Sequence, residues 1–181
     1  MFCSVDGLYE LEKHEEWSSA VECIYKEWQK QKDKSSILVR LIGECWYILS
    51  MWDCCMPTET MSYSKIEAVL YEEIRYGQLY FAQDGYYLCF VGYMFVATPF
   101  LFDSSALLNG VDPTDEGMRM LHLSTQLEPN NPVFQLLYLG YSDDQKRFKE
   151  LQQEHQFHIG QLCCDETALT QYFKYILLQT V

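Results

Sequence analysis

The chain has 181 residues, of which 49% are hydrophobic and 15% aromatic, the size and composition of one folded domain spanning residues 1–181. It holds 26 aspartates and glutamates against 13 lysines and arginines, so its formal net charge is −13. A field of this sign repels nucleic acid and anionic membranes, which we exclude as expected partners, and it attracts basic proteins.

Two stretches bear on localisation. The opening residues, MFCSVDGLYELEKHEEW, lack the basic region and apolar core of a signal peptide, so we expect a cytoplasmic protein. The longest apolar stretch, residues 86–102, contains Gly92 and Pro99 and is a little short for a bilayer span, which favours a buried helix over a membrane segment.

Helical periodicity begins near the N-terminus. Apolar residues from Trp17 to Trp28 recur at i, i+3, i+4, i+7 and i+11, which predicts a helix with one buried face. A polar segment ends this helix. Ser35 or Ser36 is expected to cap a second helix, whose apolar positions extend to Trp52.

The middle of the chain continues the pattern. A third helix is predicted from about Ser64, and the dipeptide Asp84-Gly85 predicts a turn. The apolar run from Tyr86 then predicts a largely buried helix with a kink at Pro99.

Prolines and asparagines mark the later helix boundaries. Pro113 is expected to begin one helix, and Pro129 cannot continue it because proline lacks an amide donor. Asn130 or Asn131 can cap the following helix, and Pro132 suits its first position. Two further helices fit residues 143–158 and 165–179. We predict an all-α fold of about seven to nine helices, stacked as antiparallel hairpins.

The phrase LEPNNP, residues 127–132, resembles the end of the second helix of a tetratricopeptide repeat. Gly117, Leu121 and Ser124 match the small, large, small sequence of that helix. No fixed period runs through the chain, so the resemblance implies a degenerate stack of helical hairpins. Such stacks expose a concave surface that binds other proteins.

Motifs for chemistry are absent from the sequence. It has no GxGxxG, GxxxxGK[ST], HExxH or GxSxG, so we expect no enzyme activity, no catalytic residue and no cofactor. His155 and His158 have the spacing of two metal ligands on a helix. The simpler interpretation is a pair of partly exposed histidines near a helix end, and we expect no metal.

Eight cysteines occur without a CxxC motif. Two adjacent pairs could chelate a soft metal or sense oxidants, yet no neighbouring Lys, Arg or His would lower their pKa. Reduced thiols that pack as small apolar side chains are the simpler interpretation. These pairs are Cys54-Cys55 and Cys163-Cys164.

One region is acidic and rich in tyrosine. Between Arg75 and Arg119 there is no lysine or arginine, while five acidic residues occur. Tyrosines supply contact area at little entropic cost, and carboxylates steer a cationic partner. The alternative is that the tyrosines are core residues whose hydroxyls reach solvent. The predicted partner-binding residues are Glu72, Glu73, Tyr76, Tyr80, Asp112, Asp115 and Glu116.

In size, acidity and helical hairpins, the chain resembles the helical immunity proteins of bacterial contact-dependent growth inhibition systems. The resemblance implies a protein that neutralises a cognate toxin domain, often an RNase, by covering its active site. A nuclease active site must be cationic to hold phosphates, so an inhibitor that takes the place of the substrate should be anionic.

Two other functional classes remain open. A tetratricopeptide-like secretion chaperone, or another protein-binding adaptor, would also be small and acidic, with a groove that holds extended client segments. An enzyme with a site assembled from scattered residues would use His155 and His158 with a metal.

Overall fold

The computed structural model describes residues 2–55, 61–103, 107–162 and 166–178. Within these residues the chain forms ten α-helices and one 3-10 helix and no strand, so the predicted all-α fold is confirmed. The helices are α1 (Leu8–Lys13), α2 (Trp17–Lys30), α3 (Ser35–Ser50), α4 (Trp52–Cys55), α5 (Tyr63–Tyr80), α6 (Gly85–Ala97), α7 (Pro113–Leu127), α8 (Pro132–Leu139), α9 (Gln145–Leu162) and α10 (Ala168–Leu178), with the 3-10 helix at Pro99–Leu101.

Two short helices raise the number above the predicted seven to nine. Helix α1 has 6 residues and α4 has 4, too few to display the periodicity of an apolar face. Trp52 consequently belongs to α4, whereas the predicted second helix, α3, ends at Ser50.

The proline and asparagine boundaries are confirmed. Helix α7 begins at Pro113 and α8 at Pro132. The side chain of Asn131 caps α8 by accepting a hydrogen bond from the Val133 amide at 3.1 Å. Proline fits the first helical position because the amide it lacks would have no partner there.

Two other predicted boundaries are wrong. Lys34 occupies the N-cap of α3 without a side-chain hydrogen bond, while the Ser35 hydroxyl donates to the Asp84 carboxylate at 2.8 Å. The apolar helix α6 ends at Ala97 and is not kinked at Pro99, because Pro99 starts the separate 3-10 helix.

Helices α3 and α6 form the centre of the molecule. Helix α3 buries 12 of its 16 residues and packs against α2, α5, α6 and α10. Helix α6 buries 11 of its 13 residues and packs most extensively against α7. Burial on nearly every side explains why α6 is apolar around its whole circumference, as the sequence predicted.

Two pairs of successive helices, α2–α3 and α6–α7, run antiparallel. The rings of Trp17, at the start of α2, and Tyr47, near the end of α3, lie 6.1 Å apart. A Cβ atom on Gly85, at the start of α6, would lie 2.9 Å from the carboxylate of Glu128, which follows α7. These contacts agree with helical hairpins, and the finer likeness to tetratricopeptide repeats stays a prediction.

A buried ionic cluster ties the two ends of the chain to the centre. Arg40 of α3 is fully buried, and its guanidinium pairs with Glu12 at 2.9 Å and with Glu44 at 3.4 Å. It also donates to the Thr167 hydroxyl at 3.0 Å, and Glu12 accepts from the Ala168 amide at the start of α10. Removing one partner of such a buried cluster is strongly destabilising.

Candidate partner-binding surface

Tyr76 of α5 is half-buried beside α2 and the turn that follows it, and the exposed Tyr80 packs on its ring. The Tyr76 hydroxyl donates to the backbone carbonyl of Lys32 at 3.3 Å, and the Tyr76 and Tyr80 ring centroids are 4.4 Å apart. Tyr80 is 67% exposed and the adjacent Leu79 is 77% exposed. We define the α2–α5 surface as Tyr25, Lys32, Glu72, Tyr76, Leu79 and Tyr80.

Tyr25 brings α2 into this surface. Burial, followed by the nearby carboxylates of Glu73 and Glu72, raises the pKa of Tyr25 above its ordinary value. Glu72 itself is exposed. Its carboxylate is therefore accessible to a partner and close enough to Tyr25 to affect the pKa of that phenol.

The Lys32 ammonium is held by two aromatic rings and a carboxylate. Its nitrogen lies 4.4 Å from the ring centroid of Trp28 and 4.8 Å from that of Tyr76. It is 3.5 Å from one carboxylate oxygen of Glu73, and the other oxygen accepts a hydrogen bond from the Trp28 indole at 2.7 Å. We call the group Trp28, Glu73 and Tyr76 the cation cage.

The structure changes the role predicted for Glu73. Its side chain is 3% exposed, so its carboxylate faces the interior of the cage and not the outer surface. Burial raises the pKa of Glu73, while the contacts with Trp28 and Lys32 oppose that rise. Adjacent helical residues point about 100° apart, which is why one member of the Glu72-Glu73 pair is exposed and the other buried.

The acidic residues of α7 lie on the opposite flank of α5. Gln78 follows Tyr76 by two residues, which places it about 200° further around the helix. Its amide donates to the Leu107 carbonyl at 3.4 Å, and it lines a pocket of about 330 Å³ with Glu116 and Arg119. The predicted residues of α5 and α7 therefore do not share one face.

Two of the three predicted acidic residues on that flank have partners within the chain. Asp112 caps α7 by accepting from the amides of Thr114 and Asp115 at 2.8 Å and 3.2 Å. Glu116 accepts two hydrogen bonds from Arg119, each of 2.7 Å. Asp115 is exposed. Because Glu116 is paired with Arg119, this flank offers a partner less negative charge than its acidic residues alone predict.

Four residues of the α2–α5 surface and the cation cage escaped the sequence analysis. Lys32 stood in a polar segment, Trp28 was placed on an apolar helix face, and neither Tyr25 nor Leu79 was predicted to bind a partner. The only sequence signal for the cage was the four-residue spacing of Trp28 and Lys32. This spacing crosses the end of α2, and it does not reveal that Glu73 contacts both side chains.

The described cysteines and histidines show no assembled site. In the segments that the structure describes, no group of three or more His, Cys, Asp and Glu could hold a metal ion. His155 lies 3.8 Å from the neighbouring Glu154. Cys45 and Cys89 are buried, and burial raises the pKa of both thiols. Cys54 is exposed, the Cys55 side chain is not described, and the pair Cys163-Cys164 lies outside the described residues.

Comparisons with known proteins identify no relative. The chain matches no family model, no curated protein and no solved structure. None of the helices in the described ranges has the length and apolar character needed to cross a membrane.

Proposed function

We propose that this protein is an immunity protein, which binds a cognate toxin nuclease, in the first instance an RNase, and covers its cationic active site with the α2–α5 surface. The observation that carries the proposal is the exposed group of Glu72, Leu79 and Tyr80 on a chain with a net charge of −13. The proposal rests on a basic partner, which that charge favours.

The side chains of this surface suit an interface in which few residues supply most of the binding energy. Large exposed aromatic and aliphatic side chains become anchors when a partner desolvates them, whereas carboxylates at the rim mainly raise the association rate. Tyr80 already packs on Tyr76. Its ring therefore loses less conformational freedom on binding than an isolated tyrosine would.

The electrostatic argument explains why a nuclease is the preferred target. A cleft that binds the phosphate backbone is lined with lysine and arginine, and an inhibitor gains by presenting carboxylates to it. Glu72 supplies such a carboxylate, and the whole-chain field guides the encounter.

Co-expression with the product of the directly preceding gene tests the proposal. We expect a complex that survives purification and cells that survive the toxin, with both lost when Glu72→Lys is combined with Tyr80→Ala. Glu154→Lys with Tyr175→Ala is the matched control, because these side chains are also exposed, at 63% and 59%, and lie on α9 and α10. A neighbour that neither binds nor harms cells would refute the proposal.

A second candidate, a secretion chaperone, is favoured by one feature. A groove of about 720 Å³ runs between the N-terminal segment and α2, and it is lined by charged and apolar residues including Val5, Lys26 and Ile37. An extended client segment suits such a groove. A client whose binding is lost on Ile37→Asp in a folded protein, but kept in the α2–α5 variants, would favour this function.

A further inference from the structure

We propose that the cation cage is a binding site for an alkylammonium or guanidinium group, which Lys32 occupies in the free protein and a basic side chain of the partner occupies in the complex. This inference deepens the proposed function and rests on it for the identity of the partner. The cage itself can be tested without any partner.

The geometry of the cage is that of a cation receptor. Trp28 and Tyr76 meet edge to face, with ring centroids 5.3 Å apart and an interplanar angle of 87°. A cation beside both rings meets two negative π faces, and the attraction grows as water is removed. Glu73 adds a full negative charge at 3.5 Å from the same nitrogen.

The Glu73 carboxylate is held in position by Trp28 as well as by the cation. Trp28 donates its indole hydrogen to Glu73 at 2.7 Å, and this bond orients the carboxylate towards Lys32. The Glu73 side chain is only 3% exposed. A buried carboxylate without a cation would bear an uncompensated desolvation cost, so the cage requires an occupant.

Lys32 is an exchangeable occupant. It belongs to the short turn between α2 and α3, and its side chain is 34% exposed. Rotation of its long, flexible side chain opens the cage without moving a helix. The backbone carbonyl of Lys32 still accepts the Tyr76 hydroxyl, so the turn stays in place.

The location of the cage favours a basic side chain of a protein as the second occupant. Tyr76 belongs both to the cage and to the α2–α5 surface, and its ring contacts the exposed ring of Tyr80. A partner seated on this surface could therefore insert a lysine or arginine. The displaced Lys32 ammonium would then lie on the surface of this acidic protein, whose negative charge favours a cation there.

Small cations test the cage in the full chain, through the NMR signal of the Trp28 indole N–H. In Lys32→Ala, n-butylammonium or n-propylguanidinium should shift that signal with a dissociation constant on the order of 10 mM, as expected for ligands of this size. Preference for one of the two distinguishes a lysine from an arginine site. The wild type should need at least about tenfold more cation, because Lys32 competes as a tethered ligand.

Three variants serve as controls. Lys32→Met keeps a side chain of similar length that cannot pair with Glu73, so it should respond at a cation concentration between those of Lys32→Ala and the wild type. Lys30→Ala removes the same charge from a lysine that pairs with Glu27, and should behave like the wild type. Adding Glu73→Gln to Lys32→Ala should weaken cation binding about tenfold, a typical loss for a charged partner in a desolvated site. Equal responses of Lys32→Ala and the wild type, or no saturation, would overturn the proposal.

A measurement on the wild type covers the case in which Lys32→Ala does not fold. n-Propylguanidinium at about 0.1 M, far below the molar range in which guanidinium salts unfold proteins, should displace Lys32 and raise its acetylation relative to Lys30. An unchanged ratio of Lys32 to Lys30 acetylation would contradict the displacement of Lys32 from the cage.

The affinity of the complex with the partner provides the last test. Lys32→Ala should tighten the complex about tenfold by removing the competitor, and Lys32→Met should tighten it less, because methionine still fills the cage without pairing with Glu73. Unchanged affinity in both variants would show that no partner side chain enters the cage. Failure of the proposed function would look different, since no variant would then form a complex.

Discussion

Glu73 shows how one buried residue can link two parts of a binding surface. Its carboxylate contacts Lys32 from the turn after α2 and Trp28 from α2, while its own backbone belongs to α5. Both contacts are charge-assisted and partly desolvated, the conditions under which hydrogen bonds contribute most. The cation cage therefore holds α5 against α2.

Replacing Glu73 with glutamine should change how stability depends on pH. Because the folded state raises the pKa of Glu73, it binds this proton more tightly than the unfolded chain does, and the wild type loses stability as pH rises from the ordinary carboxyl pKa to the raised one. Glu73→Gln lacks that loss. Its free energy of unfolding should therefore rise relative to the wild type across this window.

Denaturant titrations at a series of pH values measure this difference. Glu22→Gln removes an equal charge from the exposed side of α2 and is the control. A difference between Glu73→Gln and the wild type that is constant with pH, or that falls, would contradict the account.

At the residue scale, sequence could identify types of side chain but not their partners. The tyrosines, the carboxylates and the absence of basic residues between Arg75 and Arg119 are visible in the sequence. The exposure of Glu72 and burial of Glu73 are not, because the rotation of α5 about its axis depends on α2 and α3. Tyr76 and Asp115 were grouped by composition, and the fold separates them onto two flanks.

Among the helices that the structure describes, α6 and α7 pack most extensively against each other. A Cβ atom on Gly117 would lie 2.6 Å from the backbone carbonyl oxygen of Gly92 and 2.6 Å from a methyl group of Val96. The small residue predicted at position 117 is therefore required by a backbone approach, and the large residue at Leu121 is fully buried beside it.

Gly117→Ala should destabilise the protein by about 1–3 kcal/mol, because the added methyl group forces the two backbones apart. Gly160→Ala is the matched control on α9, where a Cβ atom would meet none of the described atoms within 4 Å. There alanine should stabilise by up to about 1 kcal/mol through its higher helix propensity. Thermal and denaturant unfolding compare the two, and equal effects would show that α6 and α7 do not meet as described.

At the element scale, long amphipathic segments and proline–asparagine boundaries were predictable. Pro113, Asn131 and Pro132 mark helix starts by local chemistry, which needs no tertiary information. Helix α1 and α4 were missed because they are short and are stabilised by contacts from elsewhere. Glu12 of α1, for example, is fixed by Arg40 of α3 and the start of α10.

For the whole molecule, the net charge of −13 affects the rate at which a partner is encountered more than it affects the contacts within the complex. Association with the basic partner should slow markedly between about 0.01 M and about 0.15 M salt, over which the Debye length shortens from about 30 Å to about 8 Å. Dissociation should change much less, because it depends on contacts that are already desolvated. Stopped-flow or surface-based kinetics separate the two rates, and an association rate indifferent to salt would remove the case for a basic partner.

The central claim is that the α2–α5 surface binds the partner, and the affinity of Tyr80→Ala compared with Tyr175→Ala tests it most directly. The two tyrosines are similarly exposed, at 67% and 59%, but Tyr175 lies on α10. Calorimetric titration with the partner should show a loss of about 2 kcal/mol or more, roughly 30-fold in affinity, for Tyr80→Ala and no loss for Tyr175→Ala. Unchanged affinity in Tyr80→Ala, or an equal loss in both folded variants, would contradict the claim.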